Sequence, residues 1–380
     1  MSLFSDLFPS FFKKKEKTPP QKTPKTRADL EKTFFVKSSL NNAFAKNSTP
    51  SADEQKQLKD VFDILESVPE GKKLIADVAT AGYKISFDTF RGNSAATCNP
   101  VDKQIMLCPA NHPNNAAIAA SLYHEMTHAM QNERSGGMLA DSSKYNIADQ
   151  VKFLRAAEAS AWMEEAKFAY QIKDAHPEVL SHVGNVPMYK AFSAEMEQSK
   201  DMNKASQAAF KDWYGYKFYQ QGYEDQHIGI VKNKTLNRLK KQDSKAFRES
   251  LSSEDALKFT VISDNVKINP EFLTSPEAFS ISEDGMKAFA AISKGYASKF
   301  MTAKKDDSVL SMYSYDTGKR FSGKEDEKAP AKQPLMSSLN ALSQKNVAEK
   351  QPMMSSLNAI SQKRSAEKQA ITAAAQSQSR

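Results

Sequence analysis

Ser121-Leu-Tyr-His-Glu-Met-Thr-His-Ala-Met-Gln131 is the stretch on which the reading of this chain turns. It lies in a run from Asn114 to about Arg134 where Ile118, Leu122, Met126 and Ala129 or Met130 recur at helical spacing, and Gly136-Gly137 stops the pattern. On a helix each residue turns by ~100°, so His124 and His128 stand ~40° apart on one face, one turn displaced, with Glu125 beside them. Two imidazoles so placed reach a single ion. Zinc bonds imidazole nitrogen at roughly 2.0–2.1 Å, and a catalytic site adds a third protein ligand and an open position for water. A neighbouring glutamate takes the proton of that water as it attacks a carbonyl, which is how this spacing serves metal-dependent proteolysis. The plain alternative, a satisfied pair of core histidines, would bury a charged Glu125 for no evident reason.

A third ligand belongs on a different element. Residues 151–168 read VKFLRAAEASAWMEEAKF, inside a helical pattern from about Ala148 to Ala175 that ends where Pro177 disfavours helical geometry at His176. Glu158 sits there among Ala156, Ala157, Ala159, Ser160 and Ala161, small neighbours that let two helix backbones approach closely. On helical spacing it shares a face with Val151, Leu154 and Ala161, and a carboxylate on a buried face asks for a cation. The competing reading pairs Glu158 with Arg155 on a solvated face. Glu165, two turns further on, is the second candidate ligand.

With these residues in place the sequence resembles the zincin metallopeptidases, and among them the gluzincin arrangement, in which HExxH is completed by a Glu on a later helix. Residues 55 to about 235 also resemble an uncharacterised bacterial family of metallopeptidases. The resemblance implies zinc held by His124, His128 and Glu158, Glu125 as general base, and a peptide or protein substrate. Two departures matter. Gln131 and Arg134 stand where the longer HExxHxxGxxH would have Gly and His, which excludes the metzincin branch. Trp162 stands where many gluzincins carry an Asp that orients a histidine, so that support must come from elsewhere. Such enzymes use a downstream Tyr or His on the oxyanion, and DWYGYKFYQQGYEDQHIG at 212–229 offers Tyr214, Tyr216, Tyr219, Tyr223 and His227, with Tyr223 and His227 the leading candidates. His112, His176 and His182 read as turn or helix-end residues. Cys98 and Cys108 match no usual zinc spacing.

Around this centre, Phe34, Phe35 and Leu40 fall at helical spacing, as do Leu58, Val61, Phe62 and Leu65 up to the turn at Pro69–Gly71, and a further helix over 74–80 stops at Gly82. Tyr83, Ile85 and Phe87 alternate as a strand, and Lys103–Leu107 forms a second, read as an edge along which an extended substrate pairs. From Val179 to about Phe300 the pattern is mostly helical, with loops at Gly184, Gly222 and near Pro270 and Pro276. The expectation is a predominantly helical α+β fold, a zincin-like domain over 28–318 with a small sheet preceding the HExxH helix.

The 380 residues carry a net charge of +8, but residues 1–52 hold ten Lys or Arg against four acids and residues 319–380 eleven against five. The basic excess therefore lies in the two flanks and not on a folded surface, which argues against a nucleic-acid groove. Residues 1–27 and 319–380 read as disordered basic segments. The first opens with Leu3, Phe4, Leu7, Phe8, Phe11 and Phe12 beside Lys13–Lys15, a stretch suited to weak membrane-surface contact though broken by Pro9. The second contains a duplication, QPLMSSLNALSQKNVAEK at 333–350 and QPMMSSLNAISQKRSAEK at 351–368, identical at fourteen of 18 positions. Two such copies would dock a partner with avidity, or form a tail without a fold. Two cysteines match a reducing compartment, so the expected location is the cytoplasm, with export lacking a cleavable signal also open. The rival functions are a catalytically inactive zincin-like binding module and a scaffold acting through its tails.

Overall fold

The computed structural model describes residues 25–37, 47–88, 95–300 and 303–322. The amphipathic opening and the tail repeats lie outside the described residues. Helices dominate: α1 (Arg27–Glu31), α2 (Ala52–Glu66), α3 (Pro69–Ala81), α4 (Asn115–Arg134), α5 (Ile147–Ile172), α6 (Leu180–Val183), α7 (Pro187–Ser199), α8 (Met202–Gly215), α9 (Lys217–Lys240), α10 (Ser253–Thr260) and α11 (Glu283–Lys299). The strands are β1 (Phe35–Lys37), β2 (Asn47–Ser48), β3 (Lys84–Asp88), β4 (Ala96–Asn99), β5 (Gln104–Leu107), β6 (Ser280–Ile281) and β7 (Tyr313–Ser314). The chain is thus a predominantly helical α+β protein. Among the described residues no helix is long and apolar enough to cross a membrane.

Local chemistry sets the boundaries of the elements around the site. Ser51 and Glu54 cap α2 reciprocally, Pro69 opens α3, and Gly82 closes it at φ 83°, a left-handed conformation that only glycine adopts without cost. Asn114 accepts a hydrogen bond from the Ala117 amide (2.8 Å) to start α4, and Asn146 does the same for the Asp149 amide (2.8 Å) at the head of α5.

Five strands form a mixed sheet in the order β2-β1-β3-β5-β4, with β1, β3 and β5 parallel and the two outer strands antiparallel to their neighbours. β3 is buried at four consecutive positions, Ile85 to Asp88, as a central parallel strand covered on both faces must be. α4 packs against β4 and β5 on one side and against α2, α3 and α5 on others. Sixteen of its 20 residues are consequently buried, where periodicity had predicted a single apolar face. This encirclement removes His124, Glu125 and His128 from bulk water.

Three expectations require correction. Phe35 belongs to a strand, because β1 hydrogen-bonds to β3 in the order Phe35–Ser86, Val36–Phe87, and tertiary pairing overrides a three-residue helical pattern. Gly222 lies within α9, where a helix of 24 residues absorbs one glycine at a cost of ~1 kcal/mol. The strand that begins at Gln104 is no edge. β5 is flanked by β3 and β4, Lys103 turns ahead of it at φ 50°, and the outermost strand on that side is β4.

Candidate metal centre

Helices α4 and α5 pack against one another, and Gln131 of α4 donates across the contact to the Ala157 carbonyl of α5 at 3.0 Å. The close approach brings Glu158 to the two histidines of α4. His124, His128 and Glu158 offer ligand atoms that all lie within 4.8 Å of one another. Between the rings the Nε2 atoms are 3.1 Å apart, and the Glu158 Oε2 stands 3.5 Å from His128 Nε2 and 3.9 Å from His124 Nε2. Glu158 does not pair with Arg155, whose fully buried guanidinium turns to Glu224 at 3.4 Å.

The hydrogen bonds behind the rings decide where their protons are. Gln131 donates through Nε2 to two carbonyls, Ala157 O (3.0 Å) and Thr260 O (2.9 Å), so its Oε1 can only accept. His128 Nδ1, at 2.8 Å from that oxygen, must therefore carry a proton. His124 Nδ1 donates likewise to Glu165 Oε2 at 3.0 Å. In neutral imidazoles this leaves both Nε2 lone pairs bare, facing each other and a carboxylate. Three lone-pair donors converging at this distance repel unless a cation sits among them. The donor set, two imidazole nitrogens and one carboxylate oxygen, suits zinc among the divalent ions.

Sequence reasoning did not find Gln131 or the role of Glu165. Glu165 is no member of the converging set; it grips the far nitrogen of His124 and supplies the orientation missing at position 162. Trp162 packs edge-on to His124 with centroids 5.0 Å apart and donates through Nε1 to the Tyr223 hydroxyl at 3.3 Å. The one available signal was Gln131 itself, three residues after His128 and hence on the same helix face.

A cavity of about 310 Å³ opens over the cradle, lined by His124, Glu125, His128 and Glu158 together with Tyr223 and His227 from α9 and Thr97 and Cys98 from β4. Leu139, Leu154 and Ile230 form an aliphatic wall. A second cavity of about 350 Å³ shares Ala96, His124, Glu125 and Tyr223 with the first and adds Ser121, Trp162, Glu165 and His182. Among the described residues no Lys or Arg lines either one. Of the other aromatics, Tyr214 is buried against Trp213 and Phe272, Tyr216 is exposed, and Tyr219 packs on Trp162. Cys98 and Cys108 are both free thiols. Burial, with Glu125 adding to it, holds the Cys98 thiol well above its usual range.

Electrostatics single out the same residues. Burial raises the Glu125 carboxyl above its ordinary range, more than the adjacent histidines lower it. Burial would also raise Glu158 and Glu165, but the histidines outweigh it and both carboxyls fall to about 2. His128 shows the converse. Burial disfavours its charge, yet Glu158 and Glu125 lift it to about 9, so without a metal a proton occupies the place between the rings. Burial and the Arg155 charge depress His227 to about 3, which keeps it neutral, and its Nδ1 is buried without a partner. Tyr223 stays a phenol, held well above its normal value by burial and by Glu158.

Two histidines assigned to turns do more. His112 and His182 follow a turn and sit in a one-turn helix as expected, but their rings meet Ser121, and His182 reaches Glu165 at 3.2 Å. His176 pairs only with the exposed Glu178.

Residues 36–259, from β1 to the end of α10, match the model of a family described as "Putative metallopeptidase family (DUF6782)". No curated protein and no solved structure matches the chain.

Proposed function

We propose, from the premise that this chain belongs to the metallopeptidase family whose model it matches, that it is a zinc-dependent peptidase of gluzincin type, with His124, His128 and Glu158 as ligands and Glu125 as general base. The observation that carries this reading is the forced direction of the hydrogen bonds behind the rings, which leaves two imidazole lone pairs and a carboxylate aimed at one point. Zinc bound there supplies Lewis acidity, acidifying water and polarising a carbonyl. Glu125, with its carboxyl raised by burial, is poised to accept a proton from water and to pass it to the departing amine. Trp162 donates to the phenol oxygen of Tyr223, whose own proton faces Glu158; with Glu158 engaged as a ligand that proton would be available to an oxygen that gains negative charge in the cavity.

The substrate in this reading is an extended peptide lying beside β4, because Thr97 and Cys98 of that outer strand line the cavity over the cradle. Residues 28–318 form the peptidase body in this proposal, acting in the cytoplasm.

Elemental analysis of the purified protein, paired with mass-spectrometric mapping of a peptide library with blocked termini, tests the reading. About one zinc per chain is expected, lost in His124→Ala. Glu125→Gln should keep the ion and lose turnover by roughly 10²–10⁴-fold, the range for a general base. Tyr223→Phe should lower kcat by about 10²-fold with little change in KM. No zinc after reconstitution would overturn the metal site. Equal turnover in wild type and Glu125→Gln would leave a non-catalytic metal-binding module.

A further inference from the structure

Behind the cradle the hydrogen bonds continue past Glu165 through three side chains, His182, Ser121 and His112, and end on the backbone. His112 Nδ1 faces the carbonyl of Cys108 at 2.8 Å, and a carbonyl only accepts, so Nδ1 holds the proton and Nε2 is a bare acceptor. Ser121 Oγ lies 2.9 Å from that Nε2 and must donate its single proton to it. The Ser121 oxygen is then left to accept from His182 Nε2 at 3.2 Å. The same N–H lies 3.2 Å from Glu165 Oε1, while Glu165 Oε2 accepts from His124. Every direction in the series follows from the Cys108 carbonyl, which is itself fixed at the end of β5 by the Cys108 amide bonding to Ala95 O at 2.8 Å.

Among the described residues, Glu165 finds no Lys or Arg, and its two oxygens are divided between His182 and His124. It is 3% exposed, and the second cavity, which it lines with His182, is where an oxygen deprived of its partner would look for water. It would take such a water, rotate toward His124 alone or swing forward and compete with Glu158 as a ligand, and in each case lose its fixed place. We infer that His182 is a positioning residue for the metal site: by holding Glu165 Oε1 from α6, with Ser121 and His112 fixing its own orientation, it keeps Glu165 behind His124 and bars it from the cradle. This rests on the zinc-site reading above and assigns His182 no contact with metal or substrate.

The test is titration of the metal-free full-length chain with zinc against a chromophoric chelator, and with cobalt(II) read by its visible absorption. Wild type, His182→Ala, His182→Gln and Ser121→Ala are compared. The amide N–H₂ of His182→Gln can donate to Glu165 as the imidazole does. Expected are a loss of zinc affinity of roughly 10–100-fold in His182→Ala, the cost usual for removing support behind a ligand, and a changed cobalt spectrum. His182→Gln should restore most of both, and Ser121→Ala should show the same spectral change to a lesser extent. If His182→Ala does not fold, the glutamine and Ser121→Ala proteins carry the comparison, and wild-type affinity and spectrum in Ser121→Ala then count against the inference. Wild-type affinity and spectrum in a folded His182→Ala would overturn it while leaving the zinc site standing. A wild-type chain that takes up neither ion would overturn the zinc site itself, and this inference with it.

Discussion

The one helix α5 handles buried charge in two opposite ways. Along its length Asp149 meets Lys152 at 2.7 Å, Arg155 meets Glu224 at 3.4 Å, and Glu164 meets Lys167 at 2.6 Å, each pair lying within the protein interior. Among the described residues Glu158 and Glu165, on the same helix, form ion pairs only with histidines. Charges whose work is structural are neutralised by a lysine or arginine the chain itself supplies. Around the cradle three carboxylates, those of Glu125, Glu158 and Glu165, gather about the imidazoles of His124, His128 and His182 with no such partner among the described residues, an arrangement that invites a cation from outside.

Breaking the structural side should have the largest effect. Arg155 donates to the carbonyls of Ala278 and Ser280, to Glu224 and to the Tyr315 hydroxyl, tying α5 to α9 and to β6. Glu224 in turn accepts from the Ser282 amide at 3.1 Å and fills the space where a Cβ on Gly285 would stand 2.2 Å from its Oε1. Arg155→Ala strands that carboxylate, and urea denaturation should show a loss of about 3–5 kcal/mol. Zinc should still raise the midpoint of the variant by the same increment as in wild type, since binding stabilises by mass action whatever the baseline. Loss of that increment would mean the two charge systems are one.

A second comparison separates the two glutamates without lysine or arginine partners. Glu158→Ala removes a member of the converging set, whereas Glu165→Ala removes only support from behind His124. Zinc affinity should fall by roughly 10–100-fold in Glu165→Ala and further in Glu158→Ala. Equal losses would dissolve the distinction between ligand and support.

Much of this centre was legible because it is local. The i, i+4 histidines, the Glu beside them and a carboxylate amid alanines are all readable on single helices, and the resemblance to gluzincins followed from them. β3 and β5 were legible from alternating or continuous apolar runs. β4 was not, because Ala96-Thr97-Cys98-Asn99 carries no alternation, although its partner β5 is the next strand in the chain. Glu165, Ser121 and His182 were hidden for another reason: each is an ordinary polar residue on a helix until the crossing of α4 with α5 and the placement of α6 bring their atoms within 3.2 Å of a neighbour, whereas Gln131 meets His128 within α4 itself. Gln131 was noticed only for what it is not, a glycine.

The smallest effect sharpens the comparison most finely, because it asks what stands in the cradle when zinc does not. In the metal-free protein His128 titrates near 9 against an ordinary 6.5, since Glu158 and Glu125 overcome the burial that would lower it. Its protonation therefore adds stability that is complete below pH 6.5 and is lost as pH rises through 9. Glu158 and Glu165, drawn from 4.5 to about 2 by the histidines against the opposing effect of burial, add stability that is complete above pH 4.5 and is lost as pH falls toward 2. The metal-free urea midpoint should thus be highest near pH 6.5 and decline on both sides, the acid decline starting there because His227, held down to about 3 by burial and the Arg155 charge, is charged in the unfolded chain before it is in the folded one. Glu125, raised by burial from an ordinary 4.5, costs stability as pH climbs above 4.5, a cost that sets in on the acid side of the maximum and flattens it there. Zinc takes the position of the His128 proton, so the holo-protein should lose the alkaline arm, and calorimetry near pH 7.5 in buffers of different ionisation enthalpy should register about one proton released per ion bound. An alkaline decline of equal depth with and without zinc would place the titrating group outside the cradle, on the same footing as the paired charges elsewhere on α5.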